Sequence, residues 1–176
     1  MSDAPVTGPA PLALDIPPAP AATVTTLFTD IEGSTRLWEM QPVAMRQALA
    51  AHDALAKGLI ATHGGRVVKT TGDGLHAVFA DASDAVRAMV ALARALADPQ
   101  ATAPLSLPVR FGAHCGADEW RGGDYYGRDV NRAARLMSVA HGGQLLVSQA
   151  VVDRVGERWP PGVNARDLGL VRLRDL

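Results

Sequence analysis

Arg66-Val67-Val68-Lys69-Thr70-Thr71-Gly72-Asp73-Gly74-Leu75-His76-Ala77-Val78-Phe79-Ala80 is the stretch that decides the fold. Two apolar, β-branched runs flank Thr70 to Gly74, and a Gly-Asp-Gly tip between such runs predicts a tight β-hairpin. Working outward, the hairpin sits between two helical patterns. Upstream, Leu37, Met45, Leu49, Leu55, Leu59 and Ile60 recur at threes and fours over residues 34–62. Pro42 divides them into a short and a long helix, and His63-Gly64-Gly65 stops the second. Before them, Val24 to Thr29 reads as a buried strand ending at Asp30. Downstream, Asp81-Ala82-Ser83-Asp84 caps a helix whose Val86, Met89, Val90 and Leu96 face inward. Gln100 to Pro108 is a loop, and Val109 to Gly116 a strand. The order is βαββαβ, an α+β, ferredoxin-like core of helices on a mostly antiparallel sheet. C-terminal extensions follow: Asp124 to Tyr126 as a short strand or loop, a helix over 128–139, a strand over 144–147, and a helix from Ser148 to near Val155. Two short strands around Val163 and Val171 are expected to finish the chain.

The rest of the sequence bounds what such a fold can do. At 176 residues, 48% hydrophobic and 20% charged, the chain suits one domain with a single core. Half of its twelve prolines fall in the first twenty residues, so residues 1–22 read as a flexible Pro/Ala-rich tail and 23–176 as the folded domain. A net charge of -1 supplies no global basic field, which argues against nucleic acid as a partner. The lone Cys115 excludes an intrachain disulfide and argues against a cysteine zinc site, as expected of a cytoplasmic protein. No apolar run approaches the roughly 18–20 residues of a membrane span, and no secretory signal is visible. A regulatory domain or anchor in a longer parent is compatible with this reading.

Chemistry-bearing residues collect at the strand ends. Asp30 closes the first strand, and Asp73 sits at the hairpin tip. A ferredoxin-like sheet can bring these two positions side by side, giving two hard-oxygen ligands for Mg²⁺ or Mn²⁺. Gly33 and Ser34 then open a short helix whose exposed backbone N–H groups favour phosphate. The bland alternatives are a helix-capping Asp30 and an ordinary turn aspartate. Lys69, taken alone, is a solvated strand-end residue. Asn131 and Arg135 lie four apart on one helix face, pairing a neutral donor and acceptor with a cationic fork suited to phosphate oxygens. Arg128 and Arg132 form a second such pair. A nucleic-acid patch is disfavoured there because no aromatic residues interleave the basic ones.

Three stretches in order, Phe28-Thr29-Asp30-Ile31-Glu32-Gly33-Ser34-Thr35-Arg36-Leu37, Lys69-Thr70-Thr71-Gly72-Asp73-Gly74 and Asp124-Tyr125-Tyr126-Gly127-Arg128-Asp129-Val130-Asn131-Arg132-Ala133-Ala134-Arg135-Leu136, together resemble the catalytic domain of class III nucleotidyl cyclases. The resemblance runs from about residue 24 to the C-terminus. It implies a head-to-tail homodimer with two shared sites, two divalent metal ions (Mg²⁺ or Mn²⁺), and conversion of a nucleoside triphosphate to its cyclic monophosphate and pyrophosphate. Asp30, Asp73 and the Ile31 carbonyl would hold metal. Lys69 and Asp124 would read the base, while Asn131 and Arg135 would meet the ribose and phosphates. The family's triphosphate-binding lysine near the last strands is missing, which leaves Arg172 or Arg174 for that role, with Arg121 as a further phosphate contact. Lysine donates and aspartate accepts, matching the acceptor N1 and donor N6 of adenine and opposing guanine, so ATP is the expected substrate. A guanylate cyclase and a catalytically silent nucleotide-binding or regulatory module are the alternatives.

Overall fold

The computed structural model describes residues 23–173. The tail expected over residues 1–22 lies outside the described residues, as does Arg174. The elements run β1 (Val24–Ile31), α1 (Ser34–Met40), α2 (Pro42–Thr62), β2 (Arg66–Thr70), β3 (Leu75–Phe79), α3 (Ala82–Leu96), β4 (Val109–Gly116), β5 (Glu119–Arg121), β6 (Asp124–Tyr126), α4 (Arg128–Val139), β7 (Leu145–Val147) and α5 (Gln149–Val155). Five strands form one sheet in the order β2-β3-β1-β4-β7, antiparallel throughout except for the parallel β4–β7 pair; β5 and β6 form a separate hairpin. The expected α+β, ferredoxin-like core is present.

Strand alternation sorts the residues between the two faces of the sheet. Leu27, Leu75, Ala77, Phe79, Phe111 and Ala113 join one buried cluster with Met45, Ala48, Ala56 and Ile60 of α2 and Val86, Met89 and Leu92 of α3. The buried stripe of α2 runs Met45, Ala48, His52, Ala56 and Ile60, with Leu49, Leu55 and Leu59 packed at its margin. Small alanines bring the helix close to its neighbours. The opposite face carries Phe28 across from His76, Asp30 across from Arg110, and Thr26 across from His114. Helix α4 packs on that second face so closely that a Cβ at Gly112 would fall 2.2 Å from the Met137 backbone nitrogen. The polar chemistry therefore lies on the face away from α2 and α3.

Two details differ from the sequence reading. The strands expected around Val163 and Val171 are absent among the described residues: beyond α5, the chain to residue 173 is turn and irregular backbone. Val171 is exposed, so no core draws that segment into the sheet. In addition, Glu119–Arg121 is a strand, paired through Trp120 with Tyr125. Three residues are too few for periodicity to register.

Candidate active site

The first group forms where β1 ends. Asp30 does not cap α1. Gly33 occupies the N-cap position with φ 71°, and no side chain caps the helix. The Asp30 Oδ2 instead accepts hydrogen bonds from Arg110 Nε at 2.8 Å and Nη2 at 2.5 Å, a forked ion pair set by the β1–β4 register. Arg110 also donates to the Ser138 carbonyl of α4 at 3.3 Å. The Asp73 loop is drawn onto β1 at the same end. Leu75 N donates to Thr29 Oγ1 at 3.1 Å, and a Cβ at Gly74 would lie 2.1 Å from the Thr29 carbonyl oxygen. Only glycine allows that approach. Asp73 Oδ2 is buried without a hydrogen-bond partner. A desolvated carboxylate oxygen is costly unless something with positive charge or a proton meets it. No group of three or more His, Cys, Asp or Glu that could hold a metal ion gathers among the described residues, so Asp30 and Asp73 would supply at most two carboxylates to a divalent ion, with water or phosphate completing its shell. The buried Ile31 lies between Asp30 and the helix start.

The second group forms at the β2 edge of the sheet. A bulge lies between Val67 and Lys69 in β2. It sets Lys69, rather than Val68, opposite His76, and so turns Lys69 onto the polar face. There Lys69 Nζ donates a hydrogen bond to Asp124 Oδ2 across 55 residues of sequence. Asp124 Oδ1 accepts from the Tyr125 backbone N–H at 2.9 Å. Burial pushes the Asp124 carboxyl up, but the hydrogen bonds from Lys69 and Tyr125 outweigh it and hold the group below its ordinary value. The β5–β6 hairpin is fastened over β2 and β3 by Arg66 above the Trp120 ring at 4.6 Å and by Tyr125 edge-on to His76, while Trp120 and Tyr125 pack on each other at 4.8 Å within it.

The third group is α4. Asn131 and Arg135 are both exposed on it, and their i,i+4 spacing puts them on one face. A polar network fixes its first turn. Asp129 N donates to Asp118 Oδ1 at 3.1 Å, and Ala117 N donates to Asp129 Oδ2 at 3.2 Å. His114 lies between Asp129 Oδ1 at 3.2 Å and Ser148 Oγ at 2.6 Å. The Ser148 side chain thus spends itself on His114 rather than on capping α5. Burial lowers the His114 pKa and raises that of Asp118. A neutral His114 satisfies both partners: the Ser148 hydroxyl donates to Nδ1, and Nε2–H donates to Asp129.

The remaining expected residues lie at the surface. Gly33 and Arg121 are exposed and Ser34 half-buried; Arg121 stacks on Tyr126 at 4.9 Å. Arg172 is exposed on irregular backbone. Four contributors escaped the sequence reading: Arg110, His76, His114 and Asp118. A charged or imidazole residue at an alternate position of an apolar strand was the available signal for the first three.

The Adenylate and Guanylate cyclase catalytic domain model matches residues 16–173. The chain belongs to this family. A relative from Mycobacterium tuberculosis, itself an uncharacterized protein, is 40% identical over 159 residues, which is 89% of this chain and 53% of that protein. The adenylate cyclase of Podospora anserina is 34% identical over 163 residues, covering 78% of this chain and 8% of the relative. The cyclase domain therefore spans about half the length of its mycobacterial relative. A solved Trypanosoma brucei adenylate cyclase, described in its monomeric state, superposes with a TM-score of 0.78 at 30% identity, covering 92% of this chain and 88% of that one. No described helix of the cyclase domain is long and apolar enough to cross a membrane.

Proposed function

We propose that this domain, residues 23–176, is an adenylate cyclase that converts ATP to 3′,5′-cyclic AMP and pyrophosphate in two sites shared across a head-to-tail homodimer. The observation that carries the reading is the Lys69–Asp124 pair: a donor and an acceptor held side by side on a walled polar face. Lys69 donates to adenine N1 and Asp124 accepts from the N6 amino group. Guanine inverts both, presenting N–H to the lysine and a carbonyl to the carboxylate, a mismatch that leaves both side chains unpaired and disfavours GTP.

The ribose 3′-oxygen attacks the α-phosphorus of the same molecule, so the protein chiefly orients the nucleotide and stabilises charge. Asp30, Asp73 and the Ile31 carbonyl of one protomer would hold two Mg²⁺ or Mn²⁺ ions. Bound there, such ions lower the pKa of the 3′-hydroxyl and neutralise the leaving phosphates. Arg135 of the other protomer meets charge growing on the α-phosphate, and Asn131 fixes the ribose. The His114–Asp129–Asp118 network keeps the start of α4, and with it both side chains, in place. Arg121 and Arg172 supply further phosphate contacts. The exposed Tyr126 and Val139, flanking α4, offer apolar surface for a second copy to cover.

The test is direct. Purified protein with Mn²⁺ is given ATP or GTP, and cyclic nucleotide is measured by chromatography. Cyclic AMP formation with a strong preference for ATP is expected. A preference for GTP sinks the base assignment, and no product from either nucleotide under conditions where the dimer forms sinks the enzyme assignment.

A further inference from the structure

His76 has no part in the activity proposed above, yet it lies at the centre of the base-reading group. Its ring is 1% exposed, and neither imidazole nitrogen has a hydrogen-bond partner. Two unsatisfied nitrogens in a closed strand are an expense that an apolar residue would avoid. The ring is also held in a fixed plane. Phe28 stacks on it at 4.4 Å and 13°, and Tyr125 meets it edge-on at 6.3 Å. That plane brings Nδ1 to 3.5 Å from Asp124 Oδ1, within electrostatic reach but outside hydrogen-bond geometry.

In the free protomer Lys69 and Asp124 satisfy each other. To read a base they must separate, Lys69 turning its proton to a ring nitrogen and Asp124 turning an oxygen to an amino group. Asp124 then gives up its strongest donor while still desolvated. We propose that His76 is the positioning residue of the base-reading pair: as Asp124 leaves Lys69 for the substrate's amino group, the neutral imidazole donates Nδ1–H to Asp124 Oδ1 and holds the carboxylate in its reading orientation. The groups facing the ring are Asp124, Lys69 and Arg66. Burial, with help from the two cations, lowers the His76 pKa to about 4, so the imidazole is neutral near pH 7 and makes a hydrogen bond rather than a competing salt bridge. This inference rests on Lys69 and Asp124 reading the base.

The test uses the full chain. kcat and KM for ATP and GTP are compared among wild type, His76→Leu, His76→Gln and His76→Asn, with Lys69→Glu/Asp124→Gly as a control. Asparagine places its amide donor where Nδ1 lies; glutamine places it near Nε2; leucine has none. His76→Leu and His76→Gln are expected to raise KM for ATP about tenfold or more, the loss that follows from removing a hydrogen bond to a charged group, with kcat within about threefold. The ATP:GTP ratio of kcat/KM falls in parallel, and His76→Asn restores both. Equal behaviour of Asn and Leu, or a fall in kcat with KM unchanged, overturns the proposal. If the control alters the ATP:GTP ratio and the His76 variants do not, only the role of His76 fails. If the control leaves that ratio unchanged, the base-reading itself fails. Imidazole ¹⁵N NMR of wild-type protein reads the same bond without any variant. The Nδ1–H tautomer of His76 is expected, with its proton moving downfield on adding 3′-deoxy-ATP and Mg²⁺; an Nε2–H tautomer in the bound state refutes it.

Discussion

Acidification from pH 7 to pH 5 should loosen this domain through its buried histidines. His52 and His76 are 0% and 1% exposed and His114 is 4% exposed, and burial lowers the pKa of all three below 6.5. A histidine whose pKa is depressed on folding binds its proton more readily when unfolded. Stability is therefore full above the unfolded value near 6.5 and is lost as pH falls toward the folded value. For His76, the drop from 6.5 to about 4 amounts to about 2 kcal/mol by pH 5 and about 3 kcal/mol below pH 4. In a domain of this size, 2 kcal/mol lowers Tm by about 4–8 °C. His52 and His114 add in the same direction. Asp118 acts oppositely, because burial raises its pKa and its protonation in acid favours the folded state. Differential scanning calorimetry at pH 7, 6 and 5, at constant ionic strength, measures the slope. His76→Leu should flatten it by the share belonging to His76. A Tm that is level from pH 7 to pH 5, or a His76→Leu slope equal to that of wild type, would show that the imidazole is solvated and the reasoning wrong.

Asp30→Ala and Arg135→Ala should each be nearly inactive, yet their mixture should recover activity, because heterodimers contain one site built only from wild-type residues. If mixed dimers form, as native mass spectrometry would show, and remain inactive, the two-chain site is excluded. Gly74→Ala drives a methyl group to 2.1 Å from the Thr29 carbonyl, so β1 and the hairpin must part. A loss of about 1–3 kcal/mol in chemical denaturation and a collapse of cyclase activity are expected; an unchanged midpoint would refute the close approach. Lys69→Glu with Asp124→Gly should lower the ATP:GTP ratio of kcat/KM sharply, read from initial rates with both nucleotides.

The βαββαβ order was legible because each element carried its own period: Val24 to Thr29, the Gly-Asp-Gly hairpin and the capped helix at Asp81 all stand where the pattern put them. Asp81 even caps as read, its Oδ1 accepting from Ser83 N at 2.6 Å. What stayed hidden depends on register and pairing. Nothing in Arg66-Val67-Val68-Lys69 announces a bulge, yet without it Val68 would face His76 and Lys69 would point to the other side of the sheet. Nothing in the isolated sequence of β4 marks Arg110 as the partner of Asp30, because that pairing follows from the β1–β4 register. Val163 and Val171 looked like strand residues only because β-branching was weighed without a neighbouring strand to receive them.

These hidden pairings bear on how the site works. Asp30 is held by Arg110, and Asp124 by Lys69, so these two carboxylates already have a cation from their own chain, whereas the buried Asp73 oxygen has no hydrogen-bond partner. Both pairs are only partly buried, with 22% and 17% of the two aspartate side chains exposed, so each exchange is between one charged partner and another near solvent. An ion at Asp30 must displace or share a guanidinium that also holds the Ser138 carbonyl of α4. Arg110 thereby joins the carboxylates of one site to its own chain's α4, which carries Asn131 and Arg135 into the other site of the proposed dimer. Freed from Asp30, the guanidinium would still be tethered to α4 of its own chain. Arg110→Lys keeps the charge but loses the fork, so it should retain the fold while weakening the coupling between metal and nucleotide. The measurement is KM for ATP at several Mn²⁺ concentrations. Wild type should show KM falling as Mn²⁺ rises, and Arg110→Lys should show a shallower dependence. An identical dependence in both would confine Arg110 to neutralising Asp30.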